Sequence, residues 1–237
     1  MKKHILLLLT LLFLFSCSAQ KEVIKNEIPA EKDAVKIDTT SNYFLFDYIN
    51  NFTKDDYQKK LDSIKNGASG DFFTLRMAYT KTPEYSPYNT GASLTLKSVE
   101  AALDSAKYDQ ALKMVNSILS DNFVNIRAHL YGGYIYKQLN DTDQSDFHYW
   151  CYEGLINSIL YSGDGKTPKT AFIVITTKEE YEILYYYRLS FSQQSLINAD
   201  GHSFDILQAK DNTINEEYEI YFNIDIPFGS LAKAFGG

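Results

Sequence analysis

A repeat of 34 residues in the middle of the chain constrains the fold more than any other feature of the sequence. Shifting the chain by this period lays Ala111 on Ser145 and Val115 on Tyr149. Each copy has apolar residues at helical spacing on both sides of a short polar corner, which predicts a pair of packed helices. Because a stacked pair cannot bury both of its faces alone, two copies predict that further structure covers them.

The two units resemble the tetratricopeptide repeat from about Leu94 to Leu160. Small residues are needed where paired helices approach closely, and Ala128 and Gly133 supply them in the second unit. Val99 stands at the corresponding glycine position of the first unit. Stacked repeats usually need about three units to be stable. The two units are therefore expected to pack on upstream helices and on the segment that follows.

The same resemblance predicts a concave face on the second unit, because the first helix of each repeat lines that side. Five residues are expected there: Arg127, Tyr131, Tyr134, Lys137 and Gln138. Tyrosines flanked by two cations are suited to binding a peptide or an acidic tail, so this face is a candidate partner-binding surface. The alternative is that Tyr131 and Tyr134 pack against helices between Tyr43 and Tyr79.

After the loop Ser162-Gly163-Asp164-Gly165, the apolar spacing is no longer helical. Ala171 to Ile175 is a short β-branched run, and Thr177 to Glu180 has the pattern of a capping box that opens a short helix. The segment from Tyr187 to Asp225 is typical of a meander of strands. The predicted fold class is α+β, with tetratricopeptide-like helix pairs packed on a small, mainly antiparallel C-terminal sheet.

The N-terminus predicts export. Lys2 and Lys3 precede an apolar run from Ile5 to Phe15 that is too short to span a bilayer. The run closes on Leu14-Phe15-Ser16-Cys17, which resembles the lipobox of bacterial lipoproteins, where cleavage leaves a cysteine that carries lipid, palmitate included. The resemblance implies that Cys17 anchors the protein to a membrane. The alternative is an ordinary secretory signal with an incidental cysteine.

The residues after Cys17 indicate a location and a tether. Ser18 stands in place of the acidic residue that commonly retains lipoproteins at the inner membrane, so we expect the outer membrane, at its periplasmic or cell-surface face. Residues 18–42 are polar and show no sustained period. The predicted domains are a signal peptide (1–16), a lipidated cysteine with a flexible tether (17–42), a helical, tetratricopeptide-like part (43–160) and a β-rich part packed on the helices (161–237).

Charge and cysteine content exclude several classes of function. The formal net charge of -7 repels nucleic acid, and no basic stripe offsets it. Once Cys17 is acylated, Cys151 is the only thiol left, so no internal disulfide is expected. Between Trp150 and Tyr152, this thiol is expected to be a buried apolar group. The alternative, a nucleophile assisted by His148, requires the fold to bring the two together.

The loop from Ser162 to Thr170 has two interpretations. Its sequence Gly163-Asp164-Gly165-Lys166-Thr167 ends like a phosphate-binding loop, but Leu160 stands where that motif requires its first glycine. A structural loop is expected, with both glycines in conformations that favour glycine and Asp164 bonded to local amides. The other interpretation is a ligand-binding loop formed by Ser162, Gly163, Asp164, Gly165 and Thr170.

No metal or cofactor site is predicted. Asp141 and Asp143 begin a calcium-like spacing, but Asp146 stands where that loop requires glycine. Asp141 is therefore expected to cap a helix. The three histidines outside the signal segment show no metal-ligand spacing.

Several segments between Tyr43 and Phe235 carry a family resemblance: Phe72 to Tyr79, Tyr85 to Tyr88, Ile159 to Ile175, Glu180 to Leu184 and Tyr221 to Ile224. They resemble the domain-of-unknown-function family 4919, a family of envelope lipoproteins typical of Bacteroidota-type bacteria. The resemblance implies a one-piece globule of helices and sheet with an envelope anchor. It implies no activity, substrate or catalytic residue.

These features predict a lipid-anchored envelope protein that is a protein-interaction or assembly module rather than an enzyme, with envelope proteins as partners. The competing prediction is an enzyme or small-ligand binder with its site near the Ser162–Thr170 loop. An enzyme requires titratable groups that converge in a cleft, whereas an interaction module requires an open surface.

Overall fold

The computed structural model describes residues 49–234, with side chains described as far as Ser230. The predicted signal peptide, the predicted lipid attachment at Cys17 and the predicted tether lie outside the described residues. Within the described range, no helix combines the length and the apolar composition needed to cross a membrane.

Six α-helices follow one another from residue 54 to residue 160 of the described chain. They are α1 (Lys54–Lys65), α2 (Phe72–Tyr79), α3 (Gly91–Asp104), α4 (Tyr108–Asp121), α5 (Ile126–Gln138) and α6 (Thr142–Leu160). Asp141 caps α6 as the sequence predicts, and Thr53 and Asp71 cap α1 and α2. At α1 the cap is reciprocal, because Thr53 also donates its backbone N–H to the Asp56 carboxylate at 2.8 Å.

The 34-residue repeat appears as two helix hairpins, α3–α4 and α5–α6. Their corners have the same geometry at equivalent positions. Ala106 and Asn140 both adopt a left-handed backbone, with φ of 54° and 60°. The next residue in each corner donates its N–H to the carbonyl of Ala102 or Tyr136, at 2.8 and 2.9 Å. The predicted repeat of helix pairs is therefore confirmed at the level of its turns.

Small residues let α5 and α6 approach closely. A Cβ added at Gly132 would lie 2.6 Å from Nδ1 of His148, and one added at Gly133 would lie 2.8 Å from the ring of Tyr149. Ser145 uses the same close approach to donate its hydroxyl to the carbonyl of Gly133 at 2.9 Å. The expected requirement for glycine at position 133 is confirmed.

Gly154 of α6 allows a similar contact with Phe72 of α2. A Cβ at this position would lie 2.2 Å from the Phe72 ring, which is 3% exposed and packs edge-on against Trp150. Because the ring has little room to move, we expect Gly154→Ala to lower the free energy of unfolding by about 2 kcal/mol, measured by urea denaturation. Gly229→Ala is the matched control, since its Cβ would meet open space. Equal stability of the two variants would contradict this account of the α2–α6 contact.

The C-terminal part forms a four-stranded sheet in the order β1-β4-β3-β2. Its elements are β1 (Phe172–Ile173), α7 (Thr177–Tyr187), β2 (Ser190–Ala199), β3 (His202–Asp211), β4 (Glu216–Asn223) and α8 (Asp225–Ala234). β1 pairs with β4 in parallel, and the other two pairings are antiparallel. The predicted α+β class with a mainly antiparallel sheet is confirmed.

Two predictions of local structure in this part are wrong. Thr177 does not open a capping box, because α7 begins after Thr176 and has no side-chain cap. The glutamates of the apparent box are buried instead, Glu179 beside Arg76 and Glu180 against Asp205. The helix also continues through Tyr187, where a strand was expected to begin, and ends in the left-handed residue Arg188.

One hydrophobic cluster joins the helices to the sheet. It includes Leu75 of α2, Leu155 of α6, Ile183 of α7 and Leu207 of β3, each at most 3% exposed. A second cluster lies within α3, α4 and α5. The second hairpin is thus covered by α2 and by the sheet-bearing part, and the first hairpin packs on the second through α4 and α5.

Candidate functional site

A cleft of about 360 Å³ lies where the helix hairpins meet the segment that leads into α7. Its lining comes from the first two turns of α3, the last turn of α4, the start of α5, the loop 84–89 and residues 175–182. These segments belong to three separate stretches of the chain, residues 79–96, 117–127 and 175–182. A volume of this size accommodates a few amino-acid side chains.

Two contacts fix the loop 84–89 against the sheet-bearing part. The Tyr85 hydroxyl donates to the carbonyl of Ile175 at 2.6 Å, and the ammonium group of Lys178 donates to the carbonyl of Asn89. Tyr85 also packs edge-on against Tyr79 of α2. The cleft is therefore a preformed feature of the fold.

Arg127 of α5 and Glu182 of α7 form an ion pair in the cleft lining. Arg127 Nη2 lies 2.9 Å from Glu182 Oε2, and its Nε lies 3.1 Å from both carboxylate oxygens. The ring of Tyr185 stacks on the same guanidinium, with its centroid 4.0 Å from Cζ. Burial raises the pKa of Glu182, and the guanidinium opposes this rise. The pair holds α5 against α7 at the edge of the cleft.

Arg127 is one of the five residues predicted on a concave face, and it is the one that lines the cleft. Tyr131 donates its hydroxyl to Glu100 of α3 at 2.6 Å, and Tyr134 packs edge-on against Tyr108 of α4. Both tyrosines are half-buried against the preceding hairpin rather than against α1 and α2. Lys137 and Gln138 are exposed at the end of α5.

Hydrogen bonds within the Ser162–Thr170 loop define its shape. The N–H groups of Asp164 and Gly165 both donate to the carbonyl of Thr170, at 2.9 and 2.8 Å. The Ser162 hydroxyl accepts from the N–H of Ile173 at 2.8 Å. A Cβ at Gly163 would lie 2.2 Å from the Thr170 carbonyl oxygen, and Gly165 has a φ of 67°. These contacts suit a structural connection from α6 to β1, and the loop is not part of the cleft lining.

The Cys151 thiol is buried, and burial raises its pKa to about 12. It is therefore protonated at neutral pH, which does not suit a nucleophile.

His148 contacts His129 rather than a thiol, with the Nδ1 atoms of the two rings 3.1 Å apart. His129 Nε2 lies 2.7 Å from the carbonyl of Phe123, so we assign it the proton. Burial lowers the pKa of His129 to about 3 and of His148 to about 4, so both rings are neutral and bond to each other.

A pair of carboxyl groups, Glu180 of α7 and Asp205 of β3, is buried between helix and sheet. Neither carboxylate oxygen of Glu180 has a hydrogen-bond donor among the described residues. Burial and the adjacent Asp205 raise the pKa of Glu180 to about 9. Asp205 accepts a hydrogen bond from Gln194 at 2.7 Å. Glu180 therefore holds its proton at neutral pH, next to Asp205.

Sequence reasoning did not identify this pair, although helical spacing places Glu180 on the apolar face of α7 with Ile183 and Leu184. Such a position is a signal that a carboxyl group is buried.

Within residues 49–234, no group of three or more His, Cys, Asp or Glu side chains could hold a metal ion.

A family model described as Domain of unknown function (DUF4919) matches residues 33–230. Neither the curated proteins nor the solved structures compared with the chain gave a match.

Proposed function

The chain belongs to the family described as Domain of unknown function (DUF4919), and we propose that it is a protein-interaction module that binds an extended segment of a partner protein in the cleft. The observation that carries this proposal is a preformed cleft whose lining residues Arg127, Glu182 and Glu179 already pair within the chain. Arg127 pairs with Glu182, and Glu179 at the cleft pairs with Arg76. Charges that neutralise each other favour binding over acid–base chemistry, which requires a poised proton donor or acceptor.

The backbone around the cleft favours a peptide as the occupant. Helices α3 and α7 both begin at the cleft, and neither N-cap residue, Thr90 or Thr176, bonds its side chain to the first turn. In α3, Asn89 Oδ1 accepts from the N–H of Gly91 at 2.8 Å, which satisfies one donor of that turn. N–H groups in an uncapped first turn are donors for the carbonyl groups of an extended chain. Glu84 and Asp121 add carboxylates to the lining, and Lys178 adds a cation. A partner segment can thus bond through its backbone while its side chains enter the cleft.

We also propose that a lipid attached to Cys17 anchors this module to a membrane. The lipobox-like sequence before Cys17 supports lipid attachment, with palmitate among the lipids, and Ser18 supports the outer membrane. The equivalent corners of the two hairpins support a tetratricopeptide-like helical part, a scaffold suited to partner binding. The proposed partners are other proteins of a bacterial envelope.

Site-specific photocrosslinking in cells tests the proposal. A photoreactive amino acid replaces Thr95, which lines the cleft, or Lys97, which lies two residues away on the exposed side of α3. We expect a discrete protein adduct from position 95 and at least about tenfold less from position 97, because a bound segment fills the cleft and leaves the outer face free. Equal labelling at the two positions, or no adduct at position 95, would contradict the proposal.

A further inference from the structure

Strand β2 lies at the edge of the sheet, and no described strand pairs with its outer side. The strand is ten residues long, and its first seven residues are all exposed. Natural edge strands are usually protected by charged residues or proline, or are very short. The sequence from Ser190 to Ala199 contains neither charge nor proline, and its protection is limited to a bulge near Phe191. An open edge of this kind is available for pairing with another strand.

The hairpin geometry determines which backbone groups of β2 point outward. Asp200 and Gly201 form a two-residue turn with φ of 53° and 84°, which makes Ala199 and His202 a hydrogen-bonded pair. Hydrogen-bonded and non-hydrogen-bonded pairs then alternate along the two strands. The N–H and C=O groups of Asn198, Leu196 and Gln194 therefore face away from β3.

These three outward residues form a self-complementary strip. Leu196 lies at its centre and is 54% exposed, although it is a large apolar side chain. Amide side chains stand two residues away on either side, Gln194 before it and Asn198 after it. A two-fold axis at Leu196 would set Leu196 against its own copy and Gln194 against Asn198 of the other chain.

The charge of the chain favours a second copy at this strip over other surfaces. The chain carries a formal net charge of -7, so two copies repel each other over most approaches. On the opposite side of β3, β4 presents the acidic residues Glu216, Glu217 and Glu219. β2 is uncharged along its whole length, which removes this repulsion at the edge itself.

We propose that two copies of this chain associate through antiparallel pairing of their β2 edges across a two-fold axis at Leu196. Three residue pairs, each exchanging two backbone hydrogen bonds, would contribute about six bonds between the chains. The two sheets would then continue into one another, and the exposed Leu196 side chains would cover each other.

Sedimentation of the full chain in detergent micelles tests this pairing. We expect the wild type to be a dimer. Leu196→Lys and Leu196→Glu each place like charges face to face at the axis, and each is expected to raise the dimer dissociation constant at least about tenfold. A mixture of the two variants is expected to form a heterodimer, because the charges then attract. Ile214→Lys, at an equally exposed apolar residue in the β3–β4 turn, is the matched control and should remain dimeric.

Three results would overturn the proposal. The first is that the wild-type chain remains monomeric at a protein concentration about 100 times higher than a micromolar dissociation constant. The second is a dimer that persists in both variants at position 196. The third is failure of the mixed variants to associate when each, measured alone, is folded by circular dichroism.

Discussion

Replacing Arg76 with methionine is expected to lower the free energy of unfolding by about 3–5 kcal/mol. The guanidinium is fully buried, with Nη1 donating to the Ser158 hydroxyl at 2.7 Å and Nη2 to the carbonyl of Ile173 at 2.6 Å. Its Nε lies 3.0 Å from Oε1 of Glu179. The side chain thus joins α2, α6, β1 and α7. Methionine fills a similar volume but leaves the buried Glu179 without its cation, and chemical denaturation at pH 7 measures the loss.

Two further variants isolate the ion pair from the change of shape. Arg76→Met combined with Glu179→Gln removes the uncompensated charge, and we expect it to recover most of the lost stability. Lys60→Met breaks the Lys60–Asp71 pair, in which both side chains are 35% exposed, and should cost at most about 1 kcal/mol. If Arg76→Met costs no more than Lys60→Met, Arg76 does not hold the helices on the sheet.

Replacing Glu180 with glutamine is expected to stabilise the protein at neutral pH by about 3 kcal/mol. Burial and Asp205 raise the pKa of Glu180 from 4.5 to about 9. The native state therefore retains, between these pH values, a proton that the unfolded chain has released. The stability that this proton contributes is complete below pH 4.5 and falls by about 1.4 kcal/mol per pH unit as the pH rises toward 9. Glutamine mimics the protonated acid at every pH, and its amide can donate to Asp205.

The pH dependence distinguishes this explanation from a general gain in packing. Unfolding measured from pH 4 to pH 9 should show the two proteins equally stable near pH 4 and increasingly different above it. Glu219→Gln is the matched control for replacing an acid with an amide, because Glu219 is an exposed carboxylate on β4. A constant difference between Glu180→Gln and wild type across this range would show that Glu180 does not hold a proton in the native state.

Local signals in the sequence predicted much of the helical part. The cap at Asp141 depends on residues within one turn of the helix start, so its pattern is sufficient to place it. The 34-residue repeat is also detectable in one sequence, because equivalent residues such as Ala106 and Asn140 occupy equivalent turns. Both kinds of signal depend on neighbours along the chain.

The buried acidic groups were not predicted, because their environment is set by residues far away in the sequence. Thr177 to Glu180 matches a capping box by residue type, but Glu179 is directed to Arg76, about 100 residues earlier in the chain, by tertiary packing. Glu180 meets Asp205 across the helix–sheet interface. A local pattern cannot distinguish a glutamate that caps a helix from one that is buried by the next layer of structure.

The cleft could not be predicted for the same reason. Its lining combines α3, α5, the loop 84–89 and the start of α7, which sequence spacing alone does not bring together. The sequence identified Arg127 as a candidate contact but placed it on the open face of a repeat. The structure directs it toward Glu182 instead, because α7 covers that end of the hairpin.

The central claim, that a partner segment binds in the cleft, is tested most directly by measuring the affinity of the segment that crosslinks to position 95. Calorimetry compares its binding to three folded proteins: wild type, Thr95→Trp and Lys97→Trp. Tryptophan at position 95 fills the cleft, whereas tryptophan at position 97 lies on the exposed side of the same helix. We predict that Thr95→Trp weakens binding at least about tenfold and that Lys97→Trp binds like the wild type. Equal affinity for all three proteins would contradict binding in the cleft.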